Sequence, residues 1–185
     1  MKNNPNFFSN QFKQINFLLN NINFKKINQI VDLILSVKKN KRKVIIVGNG
    51  GSASTASHFS ADLSVNGKIK TISFNEYNII TALSNDFGYE KWVEKCVEIY
   101  GKKKDVLILI SCSGNSKNLV NANKLALKKG MKVITITGCS KKNKLNSNDK
   151  NLRVWIDSKE YNIIEIVHHT LLLTIIDNII MKHKK

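Results

Sequence analysis

Two short segments of this chain combine glycines with polar side chains in the manner of anion-binding loops. The first is Gly48-Asn49-Gly50-Gly51-Ser52, which we call the glycine loop. Glycines let a backbone turn sharply and bring its N–H groups close to an anion, and a helix starting near Ser52 adds the positive end of its dipole. The same loop loosely fits a dinucleotide-binding G-x-G-x-x-A pattern with Glu76 as acidic partner, or a plain serine-capped turn.

The second segment, Ser111-Cys112-Ser113-Gly114-Asn115-Ser116, points to a phosphate ligand more directly. It places three hydroxyls ahead of another predicted helix, and we call it the serine turn. A dinucleotide-binding fold has no need of such a turn, and a P-loop would require Gly-Lys-Ser/Thr. The serine turn therefore predicts a monophosphate site, with a second serine-capped turn as the alternative.

Acidic and imidazole side chains recur at one-turn spacing on two predicted helices. His58 and Asp62 are four residues apart, and Glu165 stands three and four residues before His168 and His169. Residues at such spacing share a helix face, so each pair is suited to general acid–base work. His58, Asp62, Glu165 and His169 are also of the types that zinc accepts as ligands. The alternatives are a helix-surface pair for the first two and a core or interface role for either neighbouring histidine.

The hydrophobic pattern shows which elements position these groups. Helical periodicity predicts two helices within 7–40 and further helices over 52–65, 89–100, 118–129 and 162–181, with a short helix or turn over 78–83. Short β-branched runs predict strands over 43–47, 69–74, 106–110, 133–137 and 152–156. Such alternation predicts an α/β fold, a three-layer αβα sandwich with a central parallel sheet. Ligands of such sheets bind at the carboxyl ends of the strands, where both loops fall.

Length and composition fit one globular domain over 1–185, with a helical segment over 1–40 and an αβα core over 41–185. Hydrophobic residues make up 42% of the chain, and no run reaches the ~18–20 uninterrupted apolar residues of a membrane helix. We therefore expect no membrane partner. The three cysteines, at 96, 112 and 139, are odd in number and not closely paired, which predicts a reducing cytoplasm.

The formal net charge of +17 raises the question of nucleic acid. The lysines are spread along the whole chain, and the densest basic runs, 38–43, 102–104 and 182–185, fall at predicted turns or at a terminus. We therefore interpret the charge as a solvated surface and do not predict a nucleic-acid partner. An anionic substrate would still benefit from the positive field.

Four motifs, taken in order, resemble the phosphoheptose isomerases, a family of the sugar isomerase (SIS) superfamily. They are Val47-Gly48-Asn49-Gly50-Gly51-Ser52-Ala53, His58-Phe59-Ser60-Ala61-Asp62-Leu63, Ser84-Asn85-Asp86-Phe87-Gly88-Tyr89 and the serine turn. Their order and spacing match that family, and the similarity extends from about Asn28 to the end of the chain. The resemblance implies the SIS fold and the isomerisation of sedoheptulose 7-phosphate to D-glycero-D-manno-heptose 7-phosphate for heptose in surface polysaccharides such as lipopolysaccharide or capsule.

The resemblance also implies an assembly and a set of site residues. It implies a cytoplasmic homotetramer with active sites shared between subunits and the N-terminal helices in the interface. It places the phosphate on Ser111, Ser113 and Ser116. The remaining residues expected to bind substrate are Asn49, Gly50, Gly51, Ser52, Asp86, Cys112 and Asn162. The catalytic groups would be Asp62, Glu165 and His168, with one Zn²⁺ per site held by His58, Asp62, Glu165 and His169 and no nucleotide cofactor.

The match loosens at the catalytic groups. The family has glutamate where this chain has Asp62, and a base displaced by ~1 Å can lose ~10²-fold in rate. On the last helix the family has Gln-Glu-x-His and a second histidine five residues later. Glu165 then stands at the glutamine, His168 at the first histidine and Leu173 at the second, while Asn162 replaces an aspartate.

These departures leave three alternatives beside heptose synthesis. The chain could isomerise another ketose phosphate, since the altered groups lie on the catalytic face. It could be a non-catalytic sugar-phosphate-binding protein or one that associates with a replication initiator, as some SIS proteins do. A dinucleotide enzyme is the third alternative and rests on the glycine loop alone.

Overall fold

Five parallel strands form the centre of the structure, and helices cover both faces of the sheet. The computed structural model describes residues 5–183, so residues 1–4 and 184–185 of the predicted domain lie outside the described part. Along the chain the elements are α1 (Phe7–Asn20), α2 (Phe24–Lys39), β1 (Val44–Gly48), α3 (Gly51–Val65), β2 (Thr71–Ser73), α4 (Tyr77–Phe87), α5 (Trp92–Tyr100), β3 (Val106–Ser111), α6 (Lys117–Lys128), β4 (Lys132–Thr137), β5 (Leu152–Trp155) and α7 (Tyr161–His183). The sheet order is β2-β1-β3-β4-β5, and every neighbouring pair is parallel. The predicted αβα sandwich is confirmed.

The glycine loop and the serine turn follow two central strands that are buried on both faces. Every residue of β1 and β3 is buried, as their uninterrupted apolar runs predict. Ile46 and Ile108 pack into a core with α2, α3 and α7, whereas Ile45 and Leu107 pack into a second core with α5 and α6. Gly48 lies opposite Ile110 in the parallel register, so the glycine loop and the serine turn leave the sheet side by side.

Three elements differ from their predicted bounds. Strand β2 is reduced to three residues, because this edge strand pairs only with β1. Helix α4 has eleven residues and ends at Phe87, whereas the sequence predicted a short helix or turn over 78–83. No residue of α4 is buried, so the hydrophobic pattern indicated the length of this helix only weakly. Helix α5 begins at Trp92 and not at Tyr89.

The two N-terminal helices leave much apolar surface uncovered. Helix α1 packs against α7, and α2 packs against α7 and β5. The Asn23 side chain caps α2 by accepting a hydrogen bond from the Lys26 N–H at 3.2 Å. Five phenylalanines of these helices are at least half exposed: Phe7, Phe8, Phe12, Phe17 and Phe24.

Helix α7 has the length and apolar composition of a membrane span over Tyr161–Lys182. Half of its apolar 18-residue window is buried inside the protein. The core helix of a globular domain can have the same length and apolar composition. Its buried residues, among them Ile163, Val167 and Leu172, belong to the core that covers β1 and β3. The helix is thus a structural element of the sandwich.

A buried ion pair joins the starts of β1 and β3, at the sheet edge opposite the two loops. The carboxylate of Asp105, only 1% exposed, lies 2.6 Å from Lys43 Nζ. It also accepts hydrogen bonds from the backbone N–H groups of Lys43, at 3.2 Å, and Lys102, at 2.9 Å. One side chain therefore satisfies three donors where the central strands begin.

We expect Asp105→Ala to lower the free energy of unfolding by about 3 kcal/mol, because it leaves a largely buried ammonium and two N–H groups without their acceptor. Urea denaturation followed by circular dichroism measures the change. The matched control is Glu98→Ala, which removes an exposed partner of Lys95 and should shift the denaturation midpoint little. Equal midpoints for Asp105→Ala and wild type would contradict the role given to this pair.

Candidate active site

The serine turn is held open toward solvent by its own hydrogen bonds. Gly114 has a φ of 63°, which favours glycine, and its N–H donates to Ser111 Oγ at 3.1 Å. Ser111 Oγ lies 3.4 Å from Ser116 Oγ. Ser116 precedes α6 but makes no side-chain capping bond, so its hydroxyl stays available to a ligand beside the helix N-terminus.

A neighbouring loop supports the serine turn from behind. The buried Asn143 packs so closely on Gly114 that a Cβ at position 114 would overlap its amide. Leu145 N–H donates to the Gly114 carbonyl at 3.1 Å, and Lys144 N–H donates to Asn115 Oδ1 at 3.0 Å. These contacts come from residues 143–145, so they could not be predicted from the sequence of the turn itself.

The glycine loop lies beside the serine turn and is tied to it by an amide pair. Gly50 precedes α3 with a φ of 56°. Asn49 and Asn118 exchange two side-chain hydrogen bonds, at 2.9 and 3.1 Å, which join the glycine loop to the first turn of α6. Tyr89 Oη also donates to Asn49 Oδ1 at 3.4 Å. Asn118 and Tyr89 were not among the predicted substrate-binding residues.

A pocket of about 160 Å³ lies where the two loops meet α7. Its lining includes seven predicted site residues: Asn49, Ser52, Ser111, Cys112, Ser113, Ser116 and Glu165. The lining also contains Tyr161, which the sequence analysis did not single out. The signal that could have found it is its position four residues before Glu165, on the same face of α7.

Other predicted site residues lie around this pocket or away from it. The backbone of Gly50 and Gly51 forms the start of α3 beside it. Asp86 is exposed on α4, where it accepts a hydrogen bond from Asn85 at 3.0 Å. Asn162 is exposed near the start of α7. Within residues 5–183, Asp86 and Asn162 are therefore not part of the pocket lining.

Glu165 occupies the pocket because Gly51 has no side chain. A Cβ at position 51 would overlap the Glu165 carboxylate, so α7 can approach α3 this closely only with glycine there. On its other side, Glu165 Oε1 lies 3.8 Å from Cys112 Sγ. Burial, followed by the charge of Glu165, raises the pKa of Cys112 to about 12. At neutral pH Cys112 is thus a thiol, which is neither a nucleophile nor a ready metal ligand.

The second cluster of predicted groups lies further along α3. His58 Nε2 is 3.3 Å from Asp62 Oδ2, and both side chains are more than one third exposed. The His58 and His169 rings lie 5.2 Å apart, and His169 Nδ1 is 3.1 Å from Thr55 Oγ1. The structure therefore brings three of the predicted groups together on one partly exposed surface of α3 and α7.

The four predicted zinc ligands do not converge in this chain. His58, Asp62 and His169 lie together, whereas Glu165 is turned toward Gly51 and Cys112. Among the described residues, no group of three or more His, Cys, Asp or Glu side chains has the geometry to hold a metal ion. The donor set as folded does not fit a zinc site.

His168 is placed in the core and not in the pocket. It is 1% exposed, and neither ring nitrogen makes a hydrogen bond within residues 5–183. Burial lowers its pKa to about 4, while the nearby Thr137 backbone acts in the opposite direction without completing such a bond. The prediction of a catalytic role for His168 finds no support in this position, since adjacent helical residues face directions about 100° apart.

Comparison with known proteins defines the class first. The family model of the SIS domain matches residues 8–138, and the parallel sheet with its two phosphate-type loops belongs to the same class. A phosphoheptose isomerase from Francisella tularensis has the same fold, with a TM-score of 0.86, 27% identity and 96% of each chain covered. The corresponding enzyme from Neisseria gonorrhoeae gives a TM-score of 0.86, 29% identity and 94% coverage of both chains.

Curated relatives narrow the class to one family. The phosphoheptose isomerase of Edwardsiella ictaluri is 38% identical over 146 residues, which are 75% of each chain. That of Helicobacter pylori strain P12 is 41% identical over 118 residues, 60% of this chain and 62% of the relative. The chain thus spans slightly less than two thirds of the length of several relatives that it matches, including the 65% matched in Histophilus somni. It belongs to the phosphoheptose isomerase family of SIS domain proteins, as the resemblance predicted.

The buried His168 should make stability depend on pH. Its pKa is lowered from 6.5 to about 4 in the folded chain, so the unfolded chain binds the extra proton between these values. Stability from this group is complete above pH 6.5 and is lost on acidification at up to about 1.4 kcal/mol per pH unit, until pH about 4.

We expect His168→Leu to reduce this pH dependence without lowering stability at pH 7, because leucine needs no hydrogen-bond partner. Denaturant unfolding at several pH values from 7 to 4 measures the slope. His58→Gln, at a half-exposed imidazole, serves as control and should keep the wild-type slope. A slope unchanged in His168→Leu would show that the imidazole is not buried uncharged.

Proposed function

We propose that this chain isomerises sedoheptulose 7-phosphate to D-glycero-D-manno-heptose 7-phosphate, a step in heptose supply for surface polysaccharides. The observation that carries the proposal is the single pocket in which the serine turn, the glycine loop and the Glu165 carboxylate meet. Family membership supports the same reaction. A cytoplasmic location is part of the proposal, consistent with three cysteines that are all free.

The serine turn is the proposed phosphate site. The hydroxyls of Ser111, Ser113 and Ser116 surround a helix N-terminus, where partial positive charge and free N–H groups favour an anion. The buried Ser52 and the amide of Asn49 line the opposite wall. Gly50 and Gly51 let the backbone of α3 begin beside the same anion. The phosphate would anchor the substrate by one end and leave its carbonyl end pointing away.

The reaction requires a proton to move between two adjacent carbons. A base removes a proton from C1 of the ketose while O2 gains one, which forms an enediol. O1 then loses its proton and C2 receives one, so the aldose has the atoms of the ketose. Carboxylate and imidazole groups near these carbons suffice for both transfers.

His58 and Asp62 are the proposed acid–base pair. His58 lies about 9 Å along α3 from Ser52, given a rise of ~1.5 Å per residue. A substrate held by its terminal phosphate would extend in that direction with its carbonyl end. Asp62 contacts His58 at 3.3 Å, and the His169 ring is adjacent, so a proton can be shared within this cluster. His169 is therefore the neighbouring histidine that we include, whereas the buried His168 is left out.

Glu165 is proposed to act at the phosphate end of the pocket. Its carboxylate is the acidic group in the lining and faces any ligand on the serine turn. Zinc held with His58, Asp62 and His169 would require Glu165 to leave Gly51 and Cys112. Because the ligands do not converge as folded, the proposed proton transfers are assigned to side chains alone. Asp86 and Asn162 would contribute only if a closed form brought them in.

A second subunit is proposed to complete the site in a homotetramer. The pocket of about 160 Å³ is smaller than the ~300–1,000 Å³ typical of ligand sites, and His58 and Asp62 are open to solvent. The exposed phenylalanines of α1 and α2 supply an apolar surface of the kind that subunit interfaces cover. A neighbouring chain would then wall off the sugar from water.

A non-catalytic sugar-phosphate-binding protein is the second candidate function. It is favoured by Leu173, which packs against the core where the family has a histidine and cannot transfer a proton. The phosphate site would be the same in both cases. The two functions differ only in whether the His58 and Asp62 cluster converts a bound sugar phosphate into product.

Purified protein incubated with sedoheptulose 7-phosphate should form the aldose product, measured by chromatography. Asp62→Asn should reduce turnover to about one hundredth or less, because it removes the carboxylate that contacts His58. Ser113→Ala with Ser116→Ala should weaken substrate binding at least tenfold. Asp177→Asn, an exposed carboxylate far along α7, is the control and should keep wild-type turnover.

Two outcomes of this experiment would contradict the proposal. Near wild-type turnover in Asp62→Asn would show that the acid–base assignment is wrong. Binding of the sugar phosphate by wild type without any product, across a panel of ketose phosphates, would establish the binding-protein function in its place.

Light scattering should give about four times the chain mass of 21.0 kDa in solution. Phe8→Ser with Phe12→Ser should shift the particle toward smaller species, because both rings lie on the exposed face of α1. Phe87→Ser, on a helix outside this face, is the control. A 21 kDa wild-type particle at working concentration would count against the tetramer and against a shared site.

A further inference from the structure

A second cavity, of about 500 Å³, shares no lining residue with the pocket at the serine turn. It is enclosed by the end of α1, the connection into α2, edge strand β5 and the loop between β4 and β5. None of its lining residues belongs to the predicted active site. Its volume is about three times that of the pocket at the serine turn and falls in the usual range for small-molecule sites.

The cavity contains a fixed aromatic ring. Trp155 lies on β5 two residues after Arg153, so both side chains project from the same face of the strand. Trp155 Nε1 donates to the Cys139 carbonyl at 3.3 Å, which holds the ring in one orientation. Lys141 Nζ lies 5.5 Å from the ring centroid, within the range of a cation–π contact.

Positive charge surrounds that ring. Lys26, Lys141 and Arg153 line the cavity, against a single lining carboxylate, Asp157. Arg153 also pairs with Asp149 at 2.9 Å, but the Asp149 side chain is 91% exposed, so the pair is a weak surface contact. Its guanidinium is held in place by a hydrogen bond to the Asn146 carbonyl at 2.7 Å and can still receive an anion.

Apolar side chains complete the lining of the cavity. Leu18 and Ile22 come from the end of α1 and the turn after it, and Val154 and Ile156 come from the edge of the sheet. A ligand that suits this lining has a flat, weakly polar ring and an anionic group. Inorganic anions lack the ring, and neutral aromatic molecules lack a charge that the three lining cations can attract.

We propose that this cavity binds a nucleoside phosphate. The base packs on the Trp155 ring, and the phosphate groups contact Lys26, Lys141 and Arg153. The ligand occupies a site separate from the proposed sugar-phosphate pocket and is not a cofactor for that isomerisation. The proposal therefore stands whether or not the chain is an isomerase.

Isothermal titration calorimetry of the full chain with ADP, GDP and UDP tests the proposal. We expect saturable binding of at least one of them at one site per chain, with quenching of tryptophan fluorescence from Trp155, since Trp92 is buried. Arg153→Ala and Trp155→Ala should each weaken that binding at least tenfold. Lys124→Ala, an exposed lysine on α6 outside the cavity, is the matched control and should leave it unchanged.

Further variants keep the result interpretable. Trp155→Phe retains an aromatic face and should bind with only a modest loss, and Lys141→Ala removes a surface cation without risk to the core. Ser113→Ala with Ser116→Ala should leave nucleotide binding intact, which separates this cavity from the serine turn. Loss of binding in that double variant would assign the nucleotide to the sugar-phosphate pocket and overturn the proposal.

Two ligand controls complete the test. Inorganic phosphate that binds as tightly as the nucleoside diphosphates would reduce the site to a simple anion contact and overturn the role of the ring. Adenosine that binds as tightly as ADP would overturn the role of the cations. Failure of all three nucleotides to bind would reject the proposal outright.

Discussion

The approach of α7 to the carboxyl edge of the sheet is the constraint on which the pocket depends. Two positions without side chains permit it, Gly51 after β1 and Gly138 after β4. A Cβ at the first would overlap the carboxylate of Glu165, and one at the second would overlap the side chain of Ile164. These neighbouring residues of α7 thus contact the segments that follow β1 and β4, the two strands that flank β3.

That placement sets the electrostatics of the pocket. A carboxylate beside the serine turn has the same sign of charge as a phosphate, so the two repel each other. The N-termini of α3 and α6 start at the same edge and offset part of the repulsion. Burial and the charge of the same carboxylate raise the pKa of the Cys112 thiol, which therefore remains protonated. In the proposed function, glutamate in place of the family's glutamine would therefore change the field at the phosphate end more than at the sugar end.

The sequence was most informative where one residue type has one structural outcome. The apolar runs of β1, β3 and β4 could only be buried strands, and the polar turns that follow them had to meet at one sheet edge. The spacing of Glu165, His168 and His169 did not predict which of the two imidazoles faces α3. That choice depends on how α7 rotates against the core, which is decided by the packing of Ile163, Val167 and Leu172.

Features formed by distant segments were beyond the reach of sequence patterns. The cavity beside β5 joins residues 17–26 to residues 141–157, and neither stretch carries a motif by itself. Asn143 contacts Gly114 from the loop between β4 and β5, and the sequence of that loop shows only a polar composition. The four predicted zinc ligands do not converge for a related reason, since a shared helix face does not make side chains of two helices point to one centre.

The docking of α1 against α7 has a consequence for the order of events during synthesis. Residues 7–20 emerge early from the ribosome, but the surface that covers them is built from residues 161–183. Gln11 and Gln14, for example, hydrogen-bond to Glu160 across about 150 positions of chain. Helix α1 must therefore wait, with its apolar side uncovered, until α7 has been translated. The long loop closed by this late contact leaves that apolar surface exposed during synthesis, and exposed apolar surface is what chaperones bind.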